Sequence, residues 1–367
     1  MYAIKTLEDA KNLVLGATVL GTGGGGSPSE GLRLLSEVLN AGNEIKVVDL
    51  NELPQDSIIV SPYYIGTIAP TAKTKKPVKI AEPVKVALDE LEKLLGRKAS
   101  AVVACELGGG NTPVAMYIAA KLGLPVVDGD LLGRAAPELH QCTVHIFDIP
   151  MYPSAIVSET GNVVLVKQYA DIDDYESIAR YLSVLAGRFV AAVDTPLTIE
   201  KAKKAVVKGT ISLCIKVGKA IRESRARGED PVQAAVKALD GWKIFEGIVD
   251  RYEWRDEGGF LRGEAYVKGV GKWEGKTLKT WIMNEHIMAW IDCEPATMAP
   301  DLIMFLRDDG EPVTNTELRV GDKVNVVVAK APEVWRTPKG LELFGPRHFG
   351  FDYDYVPVEE LVKRLNL

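Results

Sequence analysis

Apolar residues near the start of the chain recur at helical intervals. Leu7, Ala10, Leu13, Val14, Ala17 and Leu20 share one face, which predicts a helix over 7–20. Thr6 and Asp9 have capping-box spacing at its start. The segment Gly21-Thr-Gly-Gly-Gly-Gly-Ser-Pro28 follows and opens directly into a second helix. Ser27 is its expected N-cap, Pro28 stands at the first helical position, Glu30 completes the box, and Gly42 is a plausible stop.

Strands and helices then alternate. Segments 45–48, 58–60, 101–105 and 125–127 read as strands, and 83–95 and 113–122 as helices. That order implies a parallel sheet with helices packed on it. Segments 143–147, 155–158 and 163–166 read as antiparallel strands, with Thr160-Gly-Asn162 as a hairpin turn. Residues 173–240 read as helices over 174–191, 199–224 and 231–239. From Trp242 the pattern changes to short strands between Gly and Asp turns, among them 263–270, 279–291, 302–306 and 323–329, closed by a short helix from Pro357. The expected fold class is α/β: a partly parallel sheet with flanking helices, plus a smaller C-terminal β domain. All six tryptophans fall after residue 241 and both glycine runs before residue 111. This asymmetry divides the chain into an α/β domain over 1–240, with glycine-rich loops and trailing helices, and a mainly β domain over 241–367.

Charge and cysteine usage remove several function classes. The formal net charge is −6, and the one basic cluster, Lys73, Lys75, Lys76 and Lys79, is short and reads as a solvated loop. Nucleic acid is therefore not an expected partner. The four cysteines, Cys105, Cys142, Cys214 and Cys293, form no CxxC pair, which argues against a zinc ribbon or disulfide framework and fits a cytoplasmic location. No run approaches the ~18 apolar residues of a membrane helix, so no membrane partner is expected.

Glycine is over-represented, at 34 of 367 residues against a typical ~7%. The excess is concentrated in Gly21, Gly23–Gly26 and Gly108–Gly110. The first run matches GxGxxG through Gly21, Gly23 and Gly26, but the dinucleotide reading needs a strand before the loop. Here the preceding segment has helical period. What remains is a ligand loop whose glycines allow close backbone approach and which ends at a helix N-terminus. The alternative is a tight helix–helix connection. The second run, Cys105-Glu-Leu-Gly-Gly-Gly-Asn-Thr-Pro113, leaves a strand, where α/β folds bind ligands. The next parallel strand ends in Asp128-Gly-Asp130, followed by Gly133, Arg134 and Glu138. Glu106, Asp128 and Asp130 could converge at one sheet edge, either to hold a divalent cation, with Asp128 and Asp130 as its ligands, or to act as acid and base. The alternative is that the aspartates cap the following turn and Glu106 pairs with Arg134. His140 and His145 lack metal-site spacing, Cys105 is a weak candidate nucleophile, and no GxSxG elbow is present. Farther on, the polar Asn284-Glu285-His286 interrupts an apolar run. It suggests a bulge or a face turned toward a cleft.

The chain resembles the S-methyl thiohydantoin desulfurase family. The matching landmarks are Gly21–Pro28, Glu106-Leu-Gly-Gly-Gly-Asn111, Asp128-Gly-Asp130 with Gly133-Arg134-Ala-Ala-Pro-Glu138, Asn284-Glu285, Pro300-Asp-Leu-Ile303 and Gly345-Pro-Arg347. The resemblance implies an α/β N-terminal half with a smaller β domain, and an alliance with hydantoinase and oxoprolinase enzymes. It implies hydrolytic removal of sulfur from a small cyclic thioamide. The residues then take the following expected roles. Glu106, Asp128 or Asp130 activates water, directly or through a divalent metal. Arg134 holds an anionic substituent or orients a carboxylate. Thr22, Gly23, Gly24, Gly25, Ser27, Gly109, Gly110, Asn111, Asn284 and Glu285 contact the substrate. A homo-oligomer and association with hydantoinase-type subunits are further expectations. A non-catalytic protein binding a small anion or nucleotide, or an accessory hydantoinase subunit, remains the competing class.

Overall fold

The computed structural model describes residues 1–69 and 76–366. Lys73 and Lys75 of the basic cluster lie outside the described residues. Lys76 and Lys79 are exposed in irregular chain.

The first part of the chain runs β1 (Tyr2–Ile4), α1 (Leu7–Leu20), α2 (Pro28–Asn40), β2 (Ile45–Val48), β3 (Ile58–Gly66), α3 (Pro83–Leu95), β4 (Ala101–Ala104), α4 (Asn111–Leu122) and β5 (Val126–Asp130). It continues through β6 (Ser154–Val157), β7 (Val163–Val166), α5 (Ile172–Ala186), β8 (Phe189–Thr198), α6 (Ile199–Ala205), β9 (Val207–Lys208), α7 (Thr210–Arg227) and α8 (Pro231–Leu239). These strands form one sheet in the order β1-β2-β5-β4-β3-β8-β6-β7, with β9 on β5. The contacts β2–β5, β5–β4 and β4–β3 are parallel, and the others antiparallel. The second sheet is antiparallel throughout. It comprises β10 (Trp242–Glu257), β11 (Phe260–Gly269), β12 (Thr277–Met283), β13 (Glu285–Ile291), β14 (Glu294–Met298), β15 (Leu302–Leu306) and β16 (Lys323–Ala329), ordered β14-β13-β12-β11-β10-β16-β15. Two short helices follow, α9 (Pro338–Phe344) and α10 (Val358–Arg364). Among the described residues no helix is long and apolar enough to cross a membrane.

The capping signals act as the sequence suggests. Thr6 Oγ1 accepts from Asp9 N at 3.1 Å, and Thr6 N donates to Asp9 Oδ2 at 3.2 Å. Ser27 Oγ accepts from Glu30 N, but Glu30 itself pairs with Arg33 instead of closing the box. Helix α1 is buried along its whole second half and packs on α7 through glycines. A Cβ on Gly16 would lie 1.8 Å from the Cys214 carbonyl oxygen, and one on Gly218 1.9 Å from that of Asn12. This close crossing sets α1 between the sheets. One apolar core joins α1, α2, α4 and α7 to Leu302, Met304, Leu306 and Val327 of the second sheet, so the loop after α1 is delivered onto that sheet.

Four expected segments differ. The expected helix over 174–191 ends at Gly187, whose φ of +91° stops it. Phe189–Thr198 is instead a strand between β3 and β6. A short buried apolar run carries no period that separates strand from helix. The expected helix over 199–224 is broken at Gly209, with φ +76°. Residues 143–147 form a 3-10 turn, because Thr143 N and Oγ1 both donate to the Leu131 carbonyl. The expected strand 279–291 is a hairpin that reverses at Asn284, whose φ is +56°.

Candidate active site

The two glycine runs touch through their backbones. Gly110 N and Asn111 N both donate to the Gly25 carbonyl, at 2.9 and 3.1 Å. A Cβ on Gly25 would lie 2.5 Å from Gly108 Cα, and one on Gly110 2.9 Å from Gly26 Cα. Side chains cannot enter this contact, so the glycine excess follows from close approach of two segments of the chain. On its other side the first loop is tied to the second sheet. Asn315 N donates to the Gly23 carbonyl at 2.7 Å, and His286 N to that of Thr22 at 2.9 Å.

Two carboxyl groups line the pocket over this floor. Glu106 follows β4 and Glu285 opens β13. Glu106 Oε1 accepts from Asn111 Nδ2 at 2.7 Å, and Oε2 from Ala136 N at 3.2 Å. Asn111 is held in turn by the backbone of Tyr64, accepting from its N–H at 2.9 Å and donating to its carbonyl at 3.1 Å. Glu285 Oε1 accepts from Gly25 N at 3.2 Å, while its buried Oε2 has no partner among the described residues. The absence of a side chain at Gly24 makes room for Glu285, since a Cβ there would lie 1.7 Å from Oε1.

Burial pushes the Glu106 carboxyl up to about 7, against the Asn111 and Ala136 donors and the Arg134 charge. Burial, and then the charge of Glu106, push Glu285 well above the carboxylate range. Two acids this close do not both ionise easily. Both carboxyls are thus pushed toward their protonated forms, Glu106 by burial and Glu285 by burial and the Glu106 charge. Both line a pocket of about 980 Å³, together with Gly23–Ser27, Tyr64, Gly110, Asn111, Gln141 and Asn284. The amides of Gly26 and Ser27 have no hydrogen-bond partner among the described residues.

Other expected site residues are placed elsewhere. Arg134 is fully buried and spends its donors on structure: Nε on Ala135 O, Nη1 on Pro300 O and Asp301 O, and Nη2 on Thr22 Oγ1 and His286 O. It clasps the first glycine loop to the second sheet and reaches the pocket only through its charge. Thr22 serves Arg134 with its hydroxyl. Asn284 lines the pocket, yet its Oδ1 accepts from Leu261 N. Gly109 lies beneath the floor against Thr18 and Pro28. Asp128 accepts from both Ser212 N and Ser212 Oγ at the start of α7. Asp130 is fully buried and accepts from Leu132 N and Gly133 N at 3.1 and 2.7 Å; burial raises it to about 7. Neither aspartate lines the pocket. Glu106 and Glu285 share the pocket lining, whereas the aspartates lie outside it, with Asp130 still within reach of the Glu106 charge. Among the described residues no group of three or more His, Cys, Asp or Glu is arranged to hold a metal ion.

Cys105 lines the pocket, but burial pushes its thiol up, away from the thiolate. His286 is fully buried, stacked on Phe305 at 4.3 Å between ring centroids, and lowered to about 3 by burial and the Arg134 charge. Pairing of Glu106 with Glu285 was not legible in the sequence, because it depends on how the two sheets meet. The polar triplet 284–286 inside an apolar run was its only local sign.

Comparison with known proteins agrees with this architecture. The model for the S-Me-THD-like N-terminal domain matches residues 8–168, and that for the S-Me-THD-like C-terminal domain matches 170–358. A crystal structure of a protein from Chromobacterium violaceum superposes with a TM-score of 0.75 and 24% sequence identity, covering 98% of this chain and 100% of that one. It shares the fold. No curated protein matches the chain. With both domain models matched in order over nearly its full length, the chain belongs to the S-methyl thiohydantoin desulfurase-like family.

Proposed function

We propose that the protein is a hydrolase that removes the sulfur substituent from a small S-alkylated cyclic thioamide (a thioimidate), an S-methyl thiohydantoin being the simplest case. The observation that carries this reading is the Glu106–Glu285 pair, two buried acids lining one pocket, the first pushed up to about 7 and the second well above the usual carboxylate value. Such a split suits one base and one acid. Glu106 as carboxylate takes a proton from water, whose oxygen bonds to the ring carbon bearing sulfur. Glu285 gives its proton to the departing sulfur as the C–S bond breaks. Methanethiol leaves, the hydroxyl proton passes to the adjacent ring nitrogen, and the ring carbon becomes a carbonyl. One carboxyl has gained a proton and the other has lost one, and exchange with solvent resets them. The free amides of Gly26 and Ser27 face charge that develops on the ring.

Release of methanethiol from 2-methylthio-hydantoin is the test. Wild-type protein should release it, and Glu106→Gln should not. Equal release by the two proteins would end this assignment.

A further inference from the structure

The pocket passes through the first sheet. Strands β3 and β4 pair at Ile59–Ala101 and Val60–Val102. Strand β4 ends at Ala104, whereas β3 runs on to Gly66 with β8 along its other side. Beside the end of β3 the place of a neighbouring strand is therefore open, and Asn111 bridges it only at Tyr64. Consecutive strand residues face opposite sides of a sheet. Tyr63 and Tyr64 both line the pocket, yet Tyr64 packs with the core on the α4 side and Tyr63 with the core on the α5 side. One pocket thus has a lobe on each face.

The lobe on the α5 side is lined by Tyr63, Ile65, Cys105, Leu139, Cys142 and Met151, which belong to one apolar cluster. Half of these side chains carry sulfur, a soft and polarizable surface. Burial pushes both thiols up, so they stay neutral. The Tyr63 hydroxyl donates to Asp194 at 2.6 Å. Polar groups at the rim are engaged as well. Arg180 pairs with Glu176 at 2.7 Å and donates to the carbonyls of Gly66, Gly259 and Pro137. Glu138 meets His348 at 2.7 Å, and Gln141 donates to Glu138 and to the Leu343 carbonyl. Arg188 stands over the Phe189 ring, which lies against Tyr64 on the other face.

Cys105 precedes Glu106 in the chain, so this lobe opens beside the carboxyl that would activate water. We infer that it seats the alkylthio group of the substrate, and that Cys105, Cys142 and Met151 set the length of alkyl chain accepted there. The inference rests on the hydrolase reading above, in which this group departs as a neutral thiol. A dry, uncharged wall suits that product, while the ring stays with the carboxyl pair.

The test compares 2-methylthio-hydantoin with 2-n-propylthio-hydantoin, each with and without a methyl group at ring carbon 5. Thiol release gives the propylthio to methylthio ratio of kcat/KM, and calorimetry the ratio of affinities, for wild type, Met151→Ala and Cys105→Leu. Two added methylenes are worth about fourfold each when buried. Met151→Ala opens the lobe and should raise both ratios on the order of tenfold. Cys105→Leu fills it and should lower them by a similar factor. Neither variant should alter the preference at ring carbon 5. Ratios that stay at the wild-type value in both variants, or a change at ring carbon 5 instead, would overturn the assignment. The hydrolase reading would survive that result as long as wild type releases thiol and Glu106→Gln does not. Absence of thiol release from every substrate would sink the hydrolase reading, with the affinity ratios still deciding the lobe. Absence of binding as well would sink both.

Discussion

Strands β4 and β5 are neighbours in the parallel part of the first sheet, and their ends carry the same kind of residue to very different fates. Beyond β4, Glu106 is followed by Gly108–Gly110, which let the chain lie flat against Gly25 and Gly26. Space remains above it, and that space is the pocket. At the end of β5, Asp128 and Asp130 are followed by Leu131 and Leu132, both buried. Asp128 is absorbed by Ser212, and Asp130 by two amides of its own turn. A strand's carboxyl end can hold a ligand, but the residues that follow decide whether room for one is left.

This contrast can be broken in order of expected effect. Glu106→Gln and Glu285→Gln should each lower turnover by about 10²–10⁴-fold, the usual share of acid–base catalysis. Asp128→Asn should leave turnover within a few-fold; a loss matching that of Glu106→Gln would restore the aspartates to the site. Arg134→Met leaves several buried carbonyls without their donor, and a loss of stability on the order of 4 kcal/mol is expected by denaturant titration. If the variant instead keeps its stability and loses only activity, Arg134 acts on the substrate and not as a clasp. Gly24→Ala places a methyl group where Glu285 Oε1 sits. It should cut turnover about 10–100-fold and alter the alkaline limb of the pH–rate profile. Gly109→Ala, beneath the floor, should act mainly on melting temperature.

The smallest effect concerns pH. Glu106 is raised from 4.5 to about 7 in the folded protein. Between those values the folded state holds the proton more tightly than the unfolded one, so stability falls as pH rises through this window. Each pKa unit corresponds to about 1.4 kcal/mol. Glu106→Gln should remove part of that slope. Its stability relative to wild type should therefore be higher at pH 8 than at pH 4.5, measured by chemical denaturation. A difference that does not change with pH would mean that Glu106 is not raised.

Much of the fold was legible because its signals are local. The helix over 7–20, the caps at Thr6 and Ser27, and the hairpin turn at Thr160–Asn162 depend on a few neighbouring residues. Strand β8 was hidden because its residues, buried between β3 and β6, carry no period. In the candidate site, Glu106 and Asn111 could be named from their place at a strand end. Glu285 could be named only as a polar residue in an apolar run. Its partnership with Glu106 arises from the α1–α7 crossing, from Arg134 and from Asn315, all of which act between distant parts of the chain. The aspartates showed the reverse: their strand-end position was readable, while Ser212, more than eighty residues away, decided the fate of Asp128.

The most direct test of the Glu106–Glu285 pair is the pH dependence of methanethiol release from 2-methylthio-hydantoin. Wild-type kcat/KM should rise through about pH 7 as Glu106 ionises and fall at higher pH as Glu285 loses its proton, with Glu106→Gln abolishing the rise and Asp130→Asn preserving it. A profile unchanged in Glu106→Gln, or a rise that disappears in Asp130→Asn, would contradict the account.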